Sequence, residues 1–191
     1  MPSMGRLEAE ASPALARALR SLDGLSVGDA FGERFFLPGE EVHALARERR
    51  LVERVVHEAR LSSEVTHAHA EGVAGGVAVA AATALAWRGR GRAPSPEPFL
   101  RAVRELIPAG YTRDGIDEAI GLDDADVVRA AIALGNGLGV TAPDMVLLCL
   151  WIAAHHLGRY EDAMWTTILA LGDRDTTCAI VGGIVAMTSE V

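Results

Sequence analysis

Residues 72–87 run without a single charge and consist largely of alanine, glycine and valine. No other feature limits the possible folds so strongly. Apolar side chains left in water forfeit ~25 cal/mol for each Å² exposed, so this stretch must be covered. It falls short of the ~20 residues a membrane span needs, so it reads as a helix buried inside a protein. Its small side chains require neighbouring helices to pack closely. The composition agrees: 50% of residues are hydrophobic but only 5% are aromatic, so alanine and glycine must fill much of the interior. No segment alternates with period two for long enough to make a strand. The expected class is all-α, an orthogonal helical bundle without internal repeats.

A chain of 191 residues suits one domain with a sizeable core. Residues 1–13 read as a disordered tail and 14–191 as a single helical domain, with a shortened region near 40–59. Helices are expected from about 14 towards 25, over 40–61, over 70–86, and over 97–107 with Pro108 as the stop. In 40–61, Val42, Leu45, Val52, Val55, Val56 and Ala59 recur with helical spacing. Asp123 is the expected cap of a helix running through Leu134. Thr141 caps another, with Pro143 in its first turn where a missing N–H costs nothing, ending near His156. Residues 160–171 form an amphipathic helix, and a last helix starts near Asp175. Residues 88–96 are a surface loop, and 135–139 form a turn. Gly24, Gly28 and Gly32, four apart, allow a neighbouring backbone to come close.

Charge narrows the function. Eighteen basic residues against 26 acidic ones leave a net charge of −8, which repels phosphate backbones and argues against nucleic acid as a partner. The first residues lack the apolar core of a secretory signal. Cys149 and Cys178 lie in apolar runs and read as buried free thiols, as a reducing cytoplasm allows. The expectation is a cytoplasmic protein with no membrane partner.

The densest chemistry is in Gly172-Asp173-Arg174-Asp175-Thr176-Thr177, at the mouth of an apolar helix. Alternate residues in a turn can aim two carboxylates at one cation, and a threonine hydroxyl adds a neutral oxygen. Such a donor set suits Mg²⁺, which retains several waters. The helix N-terminus favours ionised carboxylates. The same residues can equally be caps, and spacing alone leaves both readings open. Thr66-His67-Ala68-His69-Ala70-Glu71 invites zinc, but no further ligands stand out. It reads better as a helix start, with Thr66 the cap and Glu71 a first-turn acid. Asp29 and Glu33 beside glycines, and Asp123-Asp124 before Asp126, read as solvated or capping acids. Trp151 and His155, four apart, should pack on each other. The turn at 135–139 lacks the spacing of a phosphate-binding loop.

In this order, three segments resemble the ADP-ribosylglycohydrolases. Gly24-Leu25-Ser26-Val27-Gly28-Asp29-Ala30-Phe31-Gly32-Glu33 is similar to the family's opening motif. Thr66-His67 stands before an alanine-rich helix as the family's histidine does. Gly172-Asp173-Arg174-Asp175-Thr176 resembles its closing Gly-Asp-x-Asp-Thr motif. The likeness covers about 22–34, then about 59 to the end. It implies an all-α fold with two Mg²⁺ ions that binds an ADP-ribosyl group and hydrolyses its bond to a protein side chain or small molecule. It implies further that Asp173, Asp175 and Thr176 are metal ligands, that Glu33 and Asp175 are catalytic, and that His67 contacts substrate. Two cations can polarise ribose oxygens and a water together, and an oxocarbenium-like state gains from nearby negative charge.

Between Glu40 and Arg50 the sequence has no counterpart of the family's Thr-Asp-Asp-Thr cluster, and a central portion is missing. The missing ligands could come from Asp123 and Asp124 or from a second subunit. A non-catalytic ADP-ribose-binding or interaction module is the alternative to a hydrolase. Loss of central helices should bare apolar surface, so a homo-oligomer is expected.

Overall fold

A computed structural model describes residues 51–92, 94–122 and 126–188, all within one compact unit spanning 50–191. Eight helices run through the described residues: α1 (Leu51–Thr66), α2 (Ala70–Arg88), α3 (Pro96–Arg104), α4 (Tyr111–Ile120), α5 (Val127–Leu134), α6 (Ala142–His155), α7 (Tyr160–Leu169) and α8 (Arg174–Val185). No strand occurs among the described residues, so the all-α expectation holds. The tail, the helix from 14, the glycine stretch with Glu33, the start of the 40–61 helix and Asp123-Asp124 lie outside the described residues.

The two most apolar helices form the centre. Every residue of α6 over 146–154 is buried, and α6 packs against α2, α3, α4, α5, α7 and α8. In α2, Ala78, Ala81, Ala82 and Ala86 are fully buried, and the helix meets α1, α3, α4, α6 and α8. Helix α2 is long and apolar enough by length and composition to cross a membrane; here its alanines form part of the core. Small residues allow the close approach anticipated from sequence. A side chain on Gly75 would run into Ala142 of α6, and one on Gly76 into Ser63 of α1.

Several boundaries differ from the expectations, each for a local reason. The helix expected to end at 61 continues to Thr66, so Thr66 closes α1 and does not cap α2. The cap of α2 is His69, whose Nδ1 accepts the Glu71 N–H at 3.2 Å. Helix α3 ends at Arg104, and tighter i→i+3 bonds carry the chain through Leu106 and Ile107. Helix α5 starts after Asp126, whose carboxylate accepts the Arg129 N–H at 2.8 Å, and not after Asp123. Thr141 caps α6 as expected, with Pro143 in the first turn. The last helix starts at Arg174 with Asp173 as its cap. Helix α4 had no counterpart in the sequence reading.

Candidate functional site

The acidic turn is built by its neighbours. Asp173 caps α8: its Oδ1 accepts the Thr176 N–H at 3.4 Å, and its carbonyl accepts the Thr177 N–H and hydroxyl. Ahead of it, Gly172 has φ 69°, a left-handed conformation that glycine adopts without steric cost. The space a side chain would need there is filled by Asn136. The Asn136 carbonyl accepts the Asp173 N–H at 3.0 Å, and its side-chain amide donates to the Ala170 carbonyl at 3.3 Å. A side chain on Gly137 would come within 2.8 Å of Asp173 Cβ. On the other side, Asp144 accepts from the N–H groups of Gly137 and Gly139. The 135–139 turn is therefore held between α6 and the acidic turn. The sequence reading treated it only as a failed phosphate loop and missed this neighbourhood; its signal was the three glycines around Asn136.

Asp173 and Asp175 meet. Hydrogen bonding with the Asp175 carboxyl, then with the Thr176 hydroxyl, outweighs slight desolvation and holds the Asp173 carboxyl below the usual carboxylate range. Asp173 and Thr176 are half-buried and Asp175 is exposed. The capping reading is thus observed for Asp173. It does not consume both carboxyls: a pair in hydrogen-bond contact shares one proton, because both ionised would repel, and a cation could take that proton's place. A pair of carboxylates with waters fits the way Mg²⁺ is commonly held. Among the described residues, no group of three or more His, Cys, Asp and Glu side chains is gathered as a metal site.

His67 lies elsewhere, in the α1–α2 loop. It lines a cleft of about 910 Å³ with Glu71, Gly75, Tyr111, Met145 and Ile180 among its walls. The volume suits a small-molecule pocket. The Thr66 hydroxyl is 2.8 Å from His67 Nδ1, which orients the ring and leaves Nε2 for a ligand. The ring lies against Gly72, where a Cβ would approach within 2.7 Å of it. Asp173 and Asp175 are not in the lining of this cleft. Asp173 comes near it through Met145, which lines the cleft and also borders the space at Gly137 beside Asp173. The zinc reading of His67, His69 and Glu71 is not supported. One nitrogen of each imidazole is already engaged, and the Glu71 carboxylate is fully occupied at α4.

The remaining candidates take their bland roles. Trp151 and His155 stack with ring centroids 4.3 Å apart. Cys149 is a buried free thiol, pushed up to about 12 mainly by burial, with Cys178 and Asp173 adding to it. Cys178 is only half-buried.

A family model described as ADP-ribosylglycohydrolase matches residues 38–189. No curated protein and no solved structure matched the chain significantly.

Proposed function

Since the chain belongs to the ADP-ribosylglycohydrolase family, we propose that it takes the ADP-ribosyl group of a modified protein or small molecule into the cleft beside His67 and hydrolyses its glycosidic bond. The observation that carries this reading is the pairing of Asp173 and Asp175 at the start of α8, beside Thr176. These three residues would hold Mg²⁺. Once bound, the ion would supply electrophilic polarisation of sugar and water oxygens. The remaining work falls to the chain itself. His67, oriented by Thr66, donates or accepts through its second nitrogen and fixes the sugar end of the substrate. Asp175, the exposed member of the pair, takes a proton from the attacking water as the glycosidic bond breaks, and returns it to the departing nitrogen or oxygen. Glu33 is the second catalytic carboxylate in this reading, offsetting positive charge that develops at the anomeric carbon. Proteins or small molecules carrying ADP-ribose are the partners. Nucleic acid and membrane play no part, and the site of action is the cytoplasm.

A second reading, recognition of ADP-ribose without turnover, is favoured by the small donor set: among the described residues no group of three or more metal-binding side chains gathers, where a two-metal scheme needs more. One series of assays separates the two. Release of ADP-ribose from modified arginine, modified serine and a small-molecule conjugate is measured with Mg²⁺. Turnover of any of them supports the hydrolase; no release combined with calorimetric binding of ADP-ribose supports the binding module. Asp175→Ala should abolish any Mg²⁺-dependent signal. A signal that survives places the cation elsewhere.

A further inference from the structure

Glu71 stands in the first turn of α2, where an acid ordinarily faces solvent near its own helix terminus. Its carboxylate instead reaches across to the start of α4. Oε1 accepts the Tyr111 N–H at 2.9 Å, and Oε2 accepts the Thr112 N–H at 2.8 Å and the Thr112 hydroxyl at 2.7 Å. First-turn N–H groups have no partner within their own helix. The residue in the capping position of α4 is Gly110, which has no side chain to offer them. A side chain on Gly110 would collide with Glu71 Oε1. The start of α4 is therefore shaped around a carboxylate supplied by another helix.

We propose that Glu71 is a positioning residue that sets the distance between the two walls of the cleft; this rests on the reading of that cleft as the ADP-ribosyl site. One wall is the α1–α2 loop, where His69 caps α2 through the Glu71 N–H and His67 lies against Gly72. The other is Tyr111, 78% exposed and lining the same cleft. Glu71 joins them, and Thr112, fully buried directly after Tyr111, anchors the far side. Hydrogen bonds to an ionised acceptor are about twice as strong as neutral ones, so this tether resists spreading of the mouth. With its oxygens already engaged, Glu71 is not the proton carrier of the site. Its contribution passes through Tyr111 and His67.

The test uses the full chain with Glu71→Gln, which removes the charge, and Gly110→Ala, which keeps the charge and displaces the carboxylate. Thr112→Val serves as a milder variant that removes one donor. Ile184→Ala, in the core of α8 away from the cleft, controls for lost stability. Two quantities are read: amide hydrogen exchange at Tyr111 and Thr112, and the calorimetric Kd for ADP-ribose. In both cleft variants exchange should accelerate at those amides, and Kd should rise by about tenfold or more, as misplaced contact groups cost. Ile184→Ala should leave Kd unchanged. If the parent chain binds ADP-ribose and Glu71→Gln binds it equally well, the positioning role is wrong. If the parent chain binds no ADP-ribose, the functional reading fails; the tether is then judged by exchange alone, and unchanged exchange at Tyr111 and Thr112 overturns it.

Discussion

Among the described residues, two other than glycine have positive φ, Val140 at 55° and Leu171 at 59°. They stand at the two edges of the constructed site, one just before the Thr141 cap of α6 and one just before Gly172. A β-branched residue in this region crowds its own carbonyl, at a cost of roughly 1–2 kcal/mol. Val140 recovers little by packing, since it is 86% exposed. Val140→Gly removes the crowding and adds back ~0.5–1 kcal/mol of chain entropy. The net expectation is a stabilisation of about 0.5–1 kcal/mol, seen as a higher urea midpoint with unchanged slope. A lower midpoint would mean the valine side chain holds the cleft edge in a way its exposure hides. Residues of this kind were not legible in the sequence, because strain depends on the conformation the surroundings impose. Thr141 and Asp173 were legible, because each caps the helix that directly follows it. His69 was not, because an imidazole is an unusual cap and Thr66 offered a more ordinary one.

Among the elements, α2 was the easiest to read and α4 the hardest. An uncharged alanine-rich run has few ways to escape water, and packing confirms the consequence: Ala82 is fully buried in the shared core. Ala82→Leu should overpack this core and cost about 1–3 kcal/mol, measured by chemical unfolding. A neutral result would mean that α2 has room the structure does not show. Helix α4 carries glycine before, within and after it, at Gly110, Gly115 and Gly121, and glycine is a poor helix former. Two of them have a tertiary reason. Gly110 makes space for Glu71, and Gly115 makes space for Leu147 of α6. The cap of α4 lies forty residues earlier in the chain, so no local signal announced it.

At the scale of the molecule, the acidic turn was legible from its density of carboxylates, whereas the cleft was not. Its walls come from the loop before α2, from α2 itself, from α4, from the start of α6 with the residues just before it, and from α8, and only folding brings them together. The expected bare apolar surface also has a place. Val128 and Ile132 of α5 and Leu169 and Leu171 at the end of α7 are exposed around a shallow groove of about 240 Å³, with exposed Trp165 one turn away on α7. Apolar patches of this kind drive association, so sedimentation velocity should show self-association that grows with concentration, and Ile132→Lys should reduce it. A monodisperse parent chain at high concentration removes this expectation. Acid should act in two stages, first through a histidine and then through carboxyls held below their usual range, Glu71 and Asp173 among them. His156 closes α6 with its Nδ1 buried and without a hydrogen-bond partner. Burial lowers its affinity for a proton, as do Arg159 and His155, while Asp162 opposes them. A histidine with a depressed native pKa favours the fold only while neutral. That stability is full above the unfolded value of ~6.5 and is lost as pH falls from there through the native value. Burial pushes the Glu71 carboxyl up, but the Thr112 hydroxyl, the N–H groups of Thr112 and Tyr111, and His69 together hold it below its usual range. Its contribution is full above the ordinary glutamate value of ~4.3 and disappears as pH drops through the lower native one. Urea midpoints should therefore fall in two stages on acidification, the first below about pH 6.5. His156→Leu should flatten the first stage, and Glu71→Gln should diminish the second, to which Asp173 also contributes. A parent midpoint constant from pH 8 to 5 would contradict the assignment of the first stage to His156.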